Sequence, residues 1–403
     1  MHSISTWPRR TALLAAIAFP AFAGAQDHAA APDKAAAVAF TPTQQRGLDF
    51  LLAQQHDGKF LVQDKPHVGV SALALAAALS KPASARTDAE RAYVQQATDY
   101  VLSQQNQDGS FGESLPNYQT SAAVMALADL GTDAAKAAVL KARDFLLAAQ
   151  NAEASGAAAT DKDYGGFGYG PGSRGDMSNT QFAVEALRKS GLDVDHVALQ
   201  RAVAFLQRCQ NLRSVNGFRT EASEQGSSEK FPVEPGNDGG ACYLPGNSKF
   251  GFDVIADGVH VPRSYGSMTY ALLKTYALCG VGAGDERMKA AVAWLAQHWT
   301  LDSNPGAHGG MGENAEFQGL FYYYETMARA LTVSGIDAIP AGGDAAKPVA
   351  WRQLLAAHLA ATQAQDGSWR NSRNGRWWED QPTMCTIYAL LALADCHKGG
   401  KSE

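Results

Sequence analysis

The chain has 403 residues, of which 46% are hydrophobic and 18% charged, so it holds enough apolar material for a sizeable core in one large domain or two ordinary ones. Its net charge is -6, with acids and bases spread along the chain and no Lys/Arg run, which argues against nucleic acid as a partner.

Taken in order, residues 1–25 read as a secretory signal peptide and fall outside the fold. Arg9-Arg10 precede an apolar run over 12–23, and Ala21-Phe22-Ala23 and Ala23-Gly24-Ala25 both have the small-x-small form of a cleavage site. The run is shorter than the roughly 20 apolar residues of a membrane span, and no later run reaches that length. The expected location is therefore periplasmic or secreted. The paired arginines resemble the start of a twin-Arg signal, without the rest of that motif. Residues 26–40 are Ala-rich and read as a linker. Five cysteines are few for an exported chain. Cys385 and Cys396 are placed on one helix, roughly 16 Å apart, too far for a disulfide. A Cys209–Cys242 bridge stays open.

Residues 41–396 carry a repeat. Its first copy is Gln55-His56-Asp57-Gly58-Lys59-Phe60. The next is Gln105-Asn106-Gln107-Asp108-Gly109-Ser110-Phe111, and the last is Gln363-Ala364-Gln365-Asp366-Gly367-Ser368-Trp369. The glutamine closes a helix and can bond its orphan carbonyls. Asp-Gly makes the turn, with glycine free to take positive φ. The aromatic packs back as an anchor. Upstream of each lies an aromatic-aliphatic pair: Phe50-Leu51, Tyr100-Val101, Phe145-Leu146, Phe205-Leu206, Trp294-Leu295 and His358-Leu359. Five of these six lead to a glutamine; after Trp294-Leu295 the position is Trp299. Each is followed by a second, more apolar helical run, over 68–80, 118–130, 178–190, 265–280, 319–334 and 383–396. Helices apolar on most faces belong inside and amphipathic ones on a rim. The expected fold is all-α: a single (α/α)6 toroid, six inner helices ringed by six outer ones. An open solenoid would use the same hairpins but expose two apolar ends. Long loops at 151–177, 211–264 and 300–317 all precede inner helices, so they gather on one mouth, where a site is expected. Residues 397–403 are a tail.

The motif Gln363-x-x-Asp366-Gly367-x-Trp369, with its upstream spacing, resembles the QW repeat of squalene–hopene and oxidosqualene cyclases. Protein prenyltransferase β subunits are their relatives. The resemblance covers about residues 40–396, and one toroid is the size of a prenyltransferase β subunit. The phrases Ser178-Asn179-Thr180-Gln181, 262–270 and 320–324 resemble an exported bacterial branch of this superfamily. The resemblance implies a terpene cyclase-like or prenyltransferase-like protein that processes an isoprenoid or other apolar substrate. Squalene–hopene cyclases protonate an alkene with an Asp in D-x-D-D-T-A. Here the matching stretch is Asp176-Met177-Ser178-Asn179-Thr180-Gln181, so the family's acid falls at Ser178 and Asn179 replaces the next Asp. A hydroxyl is too weak an acid for that step. Asp193-Val194-Asp195-His196 is closer in letters but reads as a turn and N-cap. The prenyltransferase zinc pattern, an Asp-rich magnesium helix and a GCGEQ thioester are absent, so no metal and no cofactor are expected.

The candidate catalytic residues are Asp176, Asn179 and Glu325, with helix capping as the plainer role for the Asp176 stretch. Candidate cavity residues are Gln181, Arg263, Tyr265, Tyr270, Tyr322, Tyr323, Tyr324 and Trp378. Consecutive tyrosines sit about 100° apart on a helix, so at least one should face inward. Trp377, Trp378, Glu379 and Asp380 crowd the last inner-helix entrance. The expected partner is an apolar small molecule or lipid; a partner subunit is left open. Two alternatives stand beside the isoprenoid enzyme: a non-catalytic lipid-binding or interaction toroid, and a glycan-active (α/α)6 enzyme with paired carboxylates drawn from Asp176, Glu325 and Asp380.

Overall fold

In a computed structural model, residues 40–223, 228–255, 258–309, 311–340 and 348–398 are described; the expected signal peptide, nearly all of the linker and most of the tail lie outside them. Among the described residues, twelve α-helices alternate outer and inner. The outer set is α1 (Pro42–Gln54), α3 (Asp88–Ser103), α5 (Asp133–Ala149), α7 (Val197–Cys209), α9 (Glu286–Gln297) and α11 (Trp351–Thr362). The inner set is α2 (Val68–Leu79), α4 (Pro116–Leu127), α6 (Met177–Lys189), α8 (Gly266–Leu278), α10 (Leu320–Val333) and α12 (Pro382–His397). Each inner helix packs on the next, and α12 packs back on α2, so the ring closes as expected rather than continuing as a solenoid.

The division follows from residue pattern. On α5 the buried positions Ala135, Ala138, Val139, Ala142, Phe145, Leu146 and Ala149 form one stripe, because they recur at helical spacing. On α2, Val-Gly-Val-Ser-Ala-Leu-Ala-Leu is buried on every face, since it lies between its own outer helix and two inner neighbours. The outer helices other than α11 start at side-chain caps: Thr41 and Thr87 form capping boxes with Gln44 and Glu90. His196 accepts from Ala198 N as the cap of α7, which is the turn-and-cap role expected of 193–196.

The repeat turns out to be the fastening between successive outer helices. Gln105 Nε2 donates to its own turn at Gly109 O (3.2 Å) and to Ala138 O of α5 (2.8 Å). Gln150 does the same to Gly165 O and Ala198 O of α7, and Gln210 to Gly239 O and Arg287 O of α9. Gln363 bonds Gly367 O and Thr43 O of α1, which ties the last pair to the first. So the carbonyls served are those of the turn and of the next outer helix, not those of the helix the glutamine closes. Gln55 makes the smaller contact, accepting from Gly58 N (2.6 Å). The turn glycine is needed twice over: Gly109 has φ +89°, and a Cβ there would lie 2.3 Å from Lys141 O. The residue ending each turn is buried, and its backbone N donates to a hydroxyl on the following inner helix. These pairs are Phe60–Ser71, Phe111–Thr120, Phe167–Thr180, Ala241–Thr269 and Trp369–Thr386.

Strand is limited to two small sheets among the described residues. β1 (Leu61–Val62) pairs β2 (Lys65–Pro66). In the longest loop, β3 (Thr220–Ser223), β4 (Lys230–Val233), β5 (Phe252–Val254) and β6 (His260–Pro262) form a sheet of order β3-β4-β6-β5, with β4 and β6 parallel. All five cysteines are buried free thiols, and Cys242 Sγ donates to Cys209 O (3.2 Å), so the open bridge is not formed.

Candidate functional site

The N-terminal ends of the inner helices converge on a cavity of about 450 Å³, to which all six contribute lining residues. They bring Val70 and Leu73 (α2), Tyr118 and Ala122 (α4), Ser178 and Phe182 (α6), Met268 (α8), Tyr322 (α10), and Met384 and Tyr388 (α12). The loops before them add His67, Leu115, Tyr169, Tyr243, Lys249, Tyr265, Trp377, Trp378 and Glu379. Nine of the 24 lining residues are Tyr, Phe or Trp. Tyr118 and Phe182 lie 5.0 Å apart, Phe182 and Tyr322 stack at 6.5 Å, and Tyr322 meets Tyr388 edge-on at 6.0 Å. Such offset and edge contacts are the favoured aromatic geometries.

The inner-helix entrances are held by groups lent from loops. Asp176 caps α6, accepting from Asn179 N (2.8 Å) and Asn179 Nδ2 (2.9 Å). Asn304 caps α8 through Ser267 N (2.9 Å). Glu379 caps α10 through Tyr322 N (2.9 Å) and is braced by Asn371 Nδ2 (2.7 Å). Burial pushes the Glu379 carboxyl up to about 7, against those same hydrogen bonds. Burial also raises Asp176, opposed by its bonds from Asn179 and by Lys249.

A run of hydroxyls crosses the wall. Ser178 Oγ bonds the hydroxyls of Tyr118 and Tyr322, the latter at 2.9 Å, and Gln181 Nε2 donates to Tyr322 OH. Beyond Phe182 the ring is sealed by charge. Glu185, one turn further along α6, accepts from Lys274 (2.7 Å) and Arg329 (2.6 Å), and Arg329 reaches Asp395 at 3.5 Å. Burial works against the Glu185 charge, but Lys274 and Arg329 outweigh it and hold the carboxyl far below the usual range.

The sequence-predicted residues divide as follows. Tyr265, Tyr322 and Trp378 line the cavity. Asp176 and Asn179 lie behind its wall: Asn179 O and Oδ1 accept from Asn117 Nδ2, and the group is an N-terminal cap. Gln181 is buried and touches the site through Tyr322, its Oε1 having no partner among the described residues. Glu325 lies one turn past Tyr322, toward the Glu185 charges; burial pushes it up to about 7, with Lys274 opposing. The Tyr323 and Tyr324 hydroxyls donate away from the cavity, to Thr300 O (2.8 Å) and Leu301 O (2.5 Å). This is where the fifth hairpin, which lacks the glutamine, finds its fastening. Tyr270 packs on Tyr323 at 5.7 Å. Arg263 braces its loop, bonding Asp253 (2.6 Å), Phe250 O and His308 O (both 2.7 Å). Asp380, proposed as one of a carboxylate pair, is exposed, and it lines no part of the cavity. The lining residues that sequence reasoning missed include His67, Tyr118, Phe182, Tyr243, Lys249 and Tyr388. Tyr118 and Tyr388 sit in the first two turns of inner helices, a signal that was readable; Tyr243 and Lys249 come from an aperiodic loop and left none.

Residues 41–157 and 118–231 match the family model described as prenyltransferase alpha-alpha toroid domain. No curated protein sequence matches the chain. Among solved structures, an inactive variant of the α-1,6-mannanase GH76A of Salegentibacter sp., in complex with α-1,6-mannotriose, is similar at TM-score 0.53 and 9% identity. The match covers 88% of this chain and 98% of that one. The apo type II terpene cyclase MstE from Scytonema is similar at TM-score 0.47 and 14% identity, covering 88% and 96%. A protein from Actinoplanes is similar at TM-score 0.32 and 13% identity, covering 88% and 98%. The mannanase likeness is one of fold, the α/α toroid itself.

Proposed function

We propose that this chain is an exported toroid that holds an apolar chain, an isoprenoid or another lipid, in its central cavity. The observation that carries the reading is the aromatic wall: nine of the lining residues are Tyr, Phe or Trp, and all six inner helices converge on it. A volume of about 450 Å³ lies within the range of small-molecule sites, roughly 300–1,000 Å³, which are mostly apolar with a few placed polar groups. Export rests on the Arg9-Arg10 start and the apolar run that follows it.

Holding is favoured over cyclisation. Ser178, at the position of the cyclase acid, spends its hydroxyl on Tyr118 and Tyr322. Glu379 is the carboxylate among the described lining residues, and burial makes it a weaker acid than usual, the wrong direction for protonating an alkene. The glycan reading needs two carboxylates across a cleft, and the lining supplies Glu379 alone among the described residues.

The test is a binding titration with an environment-sensitive apolar fluorophore, competed by prenyl alcohols, long-chain alcohols and oligosaccharides. The expected result is displacement by the apolar chains and not by sugars. Displacement by oligosaccharides alone would sink the reading.

A further inference from the structure

Lys249 enters the cavity from the loop that precedes α8, and its surroundings are unusual for an ammonium. Its Nζ lies 3.9 Å from the Tyr243 ring centre and 5.1 Å from that of Trp377. Those ring faces attract a cation but accept no conventional hydrogen bond. Among the described residues Lys249 has no hydrogen-bond or ion-pair partner. The other inward cations are treated differently: Lys81 meets Glu90 at 2.7 Å, Lys274 meets Glu185 at 2.7 Å, and Arg329 meets Glu185 at 2.6 Å. A partly buried ammonium with three N–H donors and no acceptor is incomplete.

Charges of both signs act on Lys249: Asp176 most strongly, then Arg376 and Arg174. Burial, together with the nearby Arg376 and Arg174, lowers the Lys249 pKa, and Asp176 opposes them. Asp176 accepts from Asn179, and Glu379 from Tyr322 N and Asn371; Asp176 acts on Lys249 through its charge, and neither carboxylate forms a hydrogen bond or ion pair with it. The inner helices add the positive ends of their dipoles around the same mouth.

We propose that the ligand is an amphiphile with one negative charge, a long-chain carboxylate, whose head accepts from Lys249 Nζ while its chain lies along Phe182, Tyr322 and Tyr388. This deepens the cavity reading and rests on it. A single lining ammonium matches a single anionic head; a diphosphate would bring a charge surplus with one cation to meet it. Arg174 and Arg376, both exposed, raise the local potential and steer the head inward.

The experiment compares dissociation constants for a long-chain carboxylic acid, the alcohol of the same chain and a prenyl diphosphate, in the wild type, Lys249→Met and Lys249→Arg. A hydrogen bond to a charged group predicts that the wild type prefers the carboxylate over the alcohol by roughly ten- to hundred-fold. Lys249→Met, similar in volume, should bring that ratio near one, and Lys249→Arg should keep most of it. A wild-type ratio near one, or a ratio unchanged in Lys249→Met, overturns the proposal. Tighter binding of the diphosphate than of the carboxylate overturns the monoanion assignment. If neither the alcohol nor the acid binds, the cavity reading itself falls; if the alcohol binds as well as the acid, that reading stands and only the role of Lys249 is lost.

Discussion

Gln210 shows how much one side chain carries in this ring. It is fully buried, it donates to Gly239 O and Arg287 O, and its Oε1 accepts from Tyr276 OH (3.1 Å). Gln210→Ala strands two buried polar groups, Gly239 O and Tyr276 OH, and removes a partner from the half-buried Arg287 O, and we expect a loss of about 3 kcal/mol in urea unfolding, since each unmet buried group costs about 1–3 kcal/mol. Gln55→Ala, at a half-buried position with one bond that water can replace, should cost under about 1 kcal/mol. Equal costs at both sites would mean that the glutamines act otherwise than as fasteners. Glu379 gives the pH signature. Its folded pKa, about 7, is raised from 4.5. A raised carboxyl contributes stability that is present below its unfolded pKa and lost as pH rises through the folded one. Between pH 4.5 and 8 the wild type should therefore lose about 3 kcal/mol relative to Glu379→Gln, whatever the substitution costs independently of pH. Parallel stability curves for the two proteins over that range would show that Glu379 is not held protonated.

At the scale of elements, the turn decides more than the helix. Gly109 combines positive φ with close approach to the α5 backbone, so Gly109→Ala should destabilise by about 2–4 kcal/mol, more than a glycine substitution in open space such as Gly131→Ala. Thermal unfolding of the two variants checks the order. The same turns explain why so much of the fold was readable. Period-3.6 stripes and a Gln–Asp-Gly–aromatic punctuation are local signals, and each hairpin repeats them. What the repeat letters do not reveal is their partner. Gln105 reaches Ala138, 33 positions away, and that contact exists only in the closed ring. The tyrosines show the same limit. Tyr322, Tyr323 and Tyr324 are equivalent as letters, and helical phase turns the first toward Phe182 and the other two toward the carbonyls of Thr300 and Leu301. Glu379 and Trp378 were visible as a crowd before α12. Lys249 and Tyr243 were not, because a long irregular loop carries no period from which to place a side chain.

For the whole molecule, closure is the property that matters. α12 packs on α10, α1, α2 and α11, and the Gln363–Thr43 bond fastens the seam. A chain ended at Gln381 would expose the apolar faces of α10 and α2 and open the cavity. Its calorimetric transition should vanish, whereas in a solenoid five pairs would still melt cooperatively. Closure also makes the cavity a shared product of six helices, so its contents report directly on what the ring is for. The decisive measurement is native mass spectrometry of the purified protein, with extraction and identification of what it carries, beside Ala122→Phe, which fills the cavity from α4. The expected result is an apolar molecule bound one to one in the wild type and lost in a folded Ala122→Phe. A wild type that neither carries nor takes up any apolar chain, or a variant that keeps its ligand undiminished, would contradict the cavity's role as a lipid holder.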